Sequence, residues 1–153
     1  MASKRRQYKQ GTFTPVHPKK YKGTLPIVYR SSLELHVMRW FDASSFVIHW
    51  GSESVVIPYV KPTTGKVHRY YTDFDVSIRD KAGTVRKYVI EVKPYKQTLP
   101  PKAHGNKKKK TLLYEQVTYA INRAKWDSAE EWCRKHGYIF STITEKDINK
   151  FIK

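Results

Sequence analysis

Residues 68–94 read HRYYTDFDVSIRDKAGTVRKYVIEVKP. Phe74, Val76 and Ile78 alternate with polar side chains, the period of a half-buried strand, which predicts a strand from about His68 to Ile78. Asp80-Lys-Ala-Gly83 supplies a hairpin turn, and a strand rich in Val, Ile and Tyr runs from Val85 to about Lys93. Polar residues interrupt this apolar pattern at specific places. Glu91 and Lys93 are two apart and face the same side of their strand. Asp73 lies on the adjacent antiparallel strand and can approach Glu91 across the ladder. Two carboxylates at that separation repel unless a cation sits between them. Oxygen-only ligands select Mg²⁺ or Mn²⁺ over zinc. Such an ion polarises a phosphate oxygen and lowers the pKa of a bound water. Lys93 would then position or deprotonate the attacking water and balance phosphate charge. The competing reading is a solvent-exposed Glu–Lys pair on a half-buried sheet.

Upstream, Ser54-Val-Val-Ile-Pro-Tyr-Val60 reads as a strand, with Pro58 marking an edge or a bulge, and Lys61–Lys66 as a turn. Three strands with short turns predict an antiparallel meander. Before it, Leu33, Val37, Trp40 and Phe41 recur at helical spacing, with Ser31 or Ser32 as N-cap and an end near Asp42. Glu34 sits in the first turn, where the helix dipole favours an acid, and is a further candidate metal ligand or water holder. Downstream, residues 94–110 form a loop ending in Lys107-Lys108-Lys109-Lys110. Helical sequence follows from Thr111 to His136, with Leu112, Leu113, Val117, Ala120, Ile121 and Ala124 on one face; a break between Asn122 and Asp127 would divide it into two helices. Gly137 is a C-cap, Tyr138–Ile143 a strand parallel to its neighbour, and residues 145–153 a terminal helix. The order predicts an α/β fold, a mixed sheet flanked by helices.

The chain has 153 residues and a net charge of +17, from 30 Lys+Arg against 13 Asp+Glu. That excess repels itself in a compact state and makes physical sense opposite a polyanion, with nucleic acid ahead of an anionic membrane surface. Residues 1–26 hold no acid and read as a flexible basic arm, leaving 27–153 as a single domain. Lys4, Arg5, Arg6, Lys19 and Lys20 in the arm, together with Lys107–Lys110, are candidate phosphate contacts. Cys133 is the only cysteine, which excludes an internal disulfide and a cysteine-based zinc site and points to a reducing compartment. No apolar run approaches the roughly 18 residues of a membrane span, and the N-terminus lacks a secretory pattern. His49, His68 and His104 have no ligand spacing, and the four tryptophans read as core. Tyr70, Tyr71 and Tyr95 flank the proposed site, with DNA contact as one of two readings; Gln97, Glu115 and Gln116 are weaker candidates near it.

Arg30-Ser-Ser-Leu-Glu34, Tyr71-Thr-Asp-Phe74 and Ile90-Glu-Val-Lys-Pro94 resemble the motifs of the PD-(D/E)xK nuclease superfamily, whose restriction-endonuclease-like core runs αβββαβ. Within it, the chain looks most like the phage head completion nucleases, relatives of the TnsA-type transposon end-cleaving endonucleases. Asn122-Arg-Ala-Lys-Trp126, Ala129, Trp132-Cys133, Gly137-Tyr-Ile-Phe140 and Ile143-Thr-Glu145 resemble the tail of that family. The similarity covers roughly residues 18–148. It implies Mg²⁺-dependent (or Mn²⁺-dependent) hydrolysis of phosphodiester bonds in double-stranded DNA, with Glu34, Asp73, Glu91 and Lys93 catalytic and the three acids as metal ligands. It also implies action in the host cytoplasm while phage heads are finished, with portal or neck proteins as candidate partners and the virion as a second location. One departure is Thr72, where the family has proline before the motif aspartate. Asp75, on the same strand face as Asp73, is either a supplementary ligand or a partner of Arg69 or Arg79. Two other functions compete: a DNA-binding head or neck assembly protein without catalysis, and an RNA binder of ribosomal type.

Overall fold

The computed structural model describes residues 10–151, with side chains to residue 148. A short hairpin, β1 (Gly11–Phe13) with β2 (Ile27–Tyr29), leads into helix α1 (Ser32–Ala43). Then come β3 (Val47–Ser52), the hairpin β4 (Val56–Val60) and β5 (Val67–Tyr71), β6 (Phe74–Arg79) and β7 (Val85–Val92). Helix α2 (Lys109–His136), β8 (Ile139–Ile143) and α3 (Glu145–Phe151) complete the chain. The main sheet has the order β3-β6-β7-β8. Its first three strands are antiparallel and β8 joins β7 in parallel, the pairing that a helical crossover permits. The αβββαβ core is therefore present as α1-β3-β6-β7-α2-β8.

Strand parity divides the molecule into layers. Phe74, Val76, Ile90 and Val92 point to one face and pack with Val37, Met38 and Phe41 of α1 and with Ile148 of α3. Trp50 is the fully buried centre of this core, with the rings of Tyr21, Phe41, Phe13 and Phe74 at 4.8, 5.6, 6.0 and 6.1 Å. A truncation there would cost about 3–5 kcal/mol. On the other side Ile57, Tyr59 and Tyr70 of the β4–β5 hairpin pack on Trp126 and Ala129 of α2.

Four expectations need correction. The strand expected over 68–78 is two strands in two different sheets, β5 and β6, broken at Thr72-Asp73. Both the backbone N–H and the hydroxyl of buried Thr72 donate to Val55 O, at 3.1 and 2.8 Å, and this pins the break. Besides β7, the sheet neighbour of β6 is β3 rather than the strand at 54–60, and the Val-Ile-His-Trp run of β3 is a strand signal that the turn residues on either side obscure. The segment expected to be a free arm is folded from Gly11 onward. Asp42 accepts the N–H groups of Val16 and His17 at 2.8 and 2.9 Å, and Lys20 Nζ reaches the carbonyls of Asp42 and Ser44 at 2.9 and 2.6 Å. An ammonium at the C-terminus of α1 satisfies orphan carbonyls and opposes the helix dipole; Lys20 is thus committed to the fold, while Lys19 stays exposed. Lys4, Arg5 and Arg6 lie outside the described residues. Finally, α2 runs unbroken through Asn122–Asp127, and its first turns leave Leu113 and Val117 exposed, where the apolar face was expected to be covered. Gly137 closes it in the left-handed conformation at φ 76°, as expected of a C-cap.

Candidate active site

Asp73 occupies the break between β5 and β6, and two contacts fix it. Its carbonyl accepts the N–H of Glu53 at 3.0 Å, and its Oδ2 accepts the N–H of Val92 at 2.7 Å. The second bond ties the acid to the end of β7 itself. Glu91 is buried in β7 and lies on the face turned toward α2, because Ile90 and Val92 on either side of it point into the opposite core. The Tyr70 hydroxyl donates to Glu91 Oε2. Lys93 follows immediately after β7, with Nζ 3.7 Å from Glu91 Oε1. That is an ion pair longer than a hydrogen bond, so the ammonium keeps its donors for another acceptor.

Glu34 enters from the first turn of α1. Ser31 caps that helix by accepting the N–H of Glu34 at 3.1 Å, and Glu34 Oε2 accepts the N–H of Arg30 at 2.9 Å, close to a reciprocal capping box. Arg30 in turn pairs with Glu53. Glu34 lies within the electrostatic field of Glu91 and Asp73, and one of its oxygens is used by the cap.

The electrostatics describe a crowded set of carboxylates. Desolvation, then the charge of Glu91, holds Asp73 well above the usual aspartate range; Glu34 adds to this, and the Val92 N–H and Lys93 oppose it. Burial likewise raises Glu34, with Glu53 and Glu91 contributing, against the pull of the Arg30 N–H and guanidinium. A divalent cation would relieve this repulsion. Asp73 and Glu91 together give a two-carboxylate set, and Mg²⁺ commonly takes one or two carboxylates and fills its octahedron with water and phosphate. No cluster of three His, Cys, Asp or Glu side chains positioned to hold a metal occurs among the described residues. The donor chemistry therefore fits a hydrated Mg²⁺ or Mn²⁺ better than an all-protein cage, and Glu34, expected as a third ligand, does not complete a three-acid cluster with Asp73 and Glu91.

Asp75 forms an ion pair with neither Arg69 nor Arg79. It lies opposite Gly51 and Val89 in the sheet; burial raises its pKa and the charge of His49 opposes the rise. Lys107 is largely buried, bonding Glu115 Oε2 and Lys102 O, both at 2.9 Å. Lys108, Lys109 and Lys110 are exposed at the head of α2, where the dipole favours an anion. Tyr95 is covered by Lys146, whose Nζ lies 3.3 Å from the ring centre, while Tyr71 is exposed. Gln97 and Gln116 are exposed as well. Burial pushes the Cys133 thiol up to about 11, which keeps it unreactive near neutrality.

In the sequence Tyr70 is only a flanking residue of the site, and no pattern assigns a role to Lys125. Tyr70 is buried and holds Glu91. Lys125 projects from α2 over the rings of Tyr70 and Tyr59, at 5.6 and 5.7 Å. A signal for it existed, since Lys125 lies on the helix face that buries Asn122, Trp126 and Ala129.

A mixed sheet with an aspartate at a strand start and a Glu-x-Lys at the end of the next strand defines a restriction-endonuclease-like fold. The TnsA-like endonuclease N-terminal family matches residues 44–145, and the chain belongs to it. Its similarity extends to the head completion nuclease of Enterobacteria phage T4, with 37% identity over 139 residues, covering 88% of this chain and 90% of that protein.

Proposed function

We propose that this chain is a divalent-metal-dependent endonuclease that cleaves double-stranded DNA while phage heads are completed. The observation that carries the reading is the tethering of Asp73 to the backbone beside Glu91 and Lys93, which gathers two carboxylates and an ammonium at one end of the sheet. Asp73 and Glu91 would hold Mg²⁺ or Mn²⁺, which supplies charge neutralisation and an acidified water. Tyr70 fixes the Glu91 carboxylate so that Oε1 remains turned toward Lys93. Lys93 donates to the phosphate or orients the attacking water, and Glu34 holds water at the outer edge. The exposed lysines at the head of α2 add sequence-independent affinity for the DNA backbone. The role in head completion rests on the likeness to the T4 nuclease.

Supercoiled, linear and branched DNA incubated with the protein in Mg²⁺ or in EDTA tests this. Cleavage in Mg²⁺ alone is expected. DNA binding without cleavage under any divalent metal would favour a non-catalytic assembly role instead.

A further inference from the structure

We infer that Lys125 is a second substrate-facing cation of this site, binding a phosphate oxygen of the DNA beside the one taken by Lys93. The inference rests on the endonuclease reading above and extends it by one residue.

Three observations lead there. Lys125 stands where helical periodicity would place carbon, three residues after buried Asn122 and four before buried Ala129. Its ammonium is held against the faces of Tyr59 and Tyr70, and the Tyr70 hydroxyl is the group that holds Glu91. The cation therefore rests on the same tyrosine, Tyr70, that holds an acid of the cluster. Among the described residues, no hydrogen-bond acceptor or ion-pair carboxylate engages Lys125. A lysine that is half-buried, without an anionic partner and fixed by two aromatic faces has lost much of its hydration and gained only cation–π attraction in exchange. Burial accordingly lowers its pKa, while Glu91 and Asp73 pull it up and Lys93 pushes it down, which places all four groups within each other's fields. A phosphate would restore the missing acceptor. Asp73 and Glu91 themselves offer a weaker explanation, in which Lys125 only balances their charge.

Wild type, Lys125→Met and Lys125→Gln are compared in two assays. In EDTA, duplex DNA is titrated at three or more salt concentrations. The expected result for both variants is a slope of log affinity against log salt shallower by about 0.9, the worth of one neutralised phosphate. In Mg²⁺, kcat/KM for cleavage should fall by about ten- to hundredfold, the worth of a hydrogen bond to a charged group. Lys125→Arg should keep the wild-type slope. Using two neutral replacements guards against a folding defect in either one, and melting temperatures are read alongside. An unchanged slope in the neutral variants, whether or not activity or melting temperature falls, would assign Lys125 to charge balance and overturn the inference. Wild type that binds DNA but never cleaves it would refute the endonuclease reading, while the slope would still decide whether Lys125 meets a phosphate.

Discussion

Tyr70→Phe removes one oxygen atom and leaves the ring that packs on Ile57, Trp126 and Ala129. Its hydroxyl is the donor to Glu91 Oε2, and both residues are buried, at 4% and 6% exposure, so water has little access to replace it. Burial and the nearby Glu91 charge push the phenol above its usual range, so it stays protonated and donating at every pH of interest. A hydrogen bond to a charged group contributes about 1.5–3 kcal/mol. For a domain of this size each kcal/mol moves the melting temperature by roughly 2–4 °C, so a drop of roughly 3–12 °C is expected by calorimetry in EDTA. Activity should fall about ten- to hundredfold, because a candidate metal ligand loses the group that orients it. Mg²⁺ should recover part of the lost stability, since it supplies Glu91 with a new partner. A variant that melts within about 1 °C of wild type and cleaves at full rate would refute the positioning role.

Asp73→Asn should raise the melting temperature of the metal-free protein near neutral pH. Asp73 and Glu34 both have raised folded pKa values, so their contributions to stability are fully present below the ordinary values of 3.8 and 4.5 and are lost as pH rises through the raised ones; the gain from Asn should therefore shrink toward pH 4, and a gain that grew in acid would contradict the sign. Lys20→Met strips the cap from the α1 carbonyls and should cost about 1–3 kcal/mol while DNA affinity and its salt slope stay as in wild type, as read by denaturant unfolding and a binding titration. Replacing Lys108, Lys109 and Lys110 with Ser should do the reverse: the salt slope becomes shallower by about 0.9 for each phosphate no longer neutralised, with thermal stability nearly unchanged.

How legible the molecule is depends on which force shapes each part. The α1 cap at Ser31, the Glu91–Lys93 pair and the Gly137 stop follow from local patterns of two to four residues, and the structure places them as the sequence predicts. The break at Thr72-Asp73 was hidden because alternation continues straight through it; only the tertiary contact with Val55 ends one sheet and starts another. Residues 11–26 dock through Asp42, Lys20 and the Tyr21–Trp50 ring contact, and polar ties of this kind have no period to detect. Lys107 shows the same limit: one acceptor on α2 turns a surface cation into part of the fold. Tyr70 and Lys125 come from a hairpin and a helix far apart in sequence, and their meeting over Glu91 is a property of packing alone.

Whether Asp73, Glu91 and Lys93 form the hydrolytic centre is read from Glu91→Gln, because the amide oxygen can still accept from Tyr70. Single-turnover cleavage of supercoiled DNA is measured for wild type and variant in Mg²⁺ and in EDTA, with DNA affinity determined in parallel. Cleavage by wild type in Mg²⁺ only is expected, with no cleavage by Glu91→Gln at an affinity close to that of wild type. Cleavage by wild type in EDTA, or by the variant at the wild-type rate, would contradict that assignment.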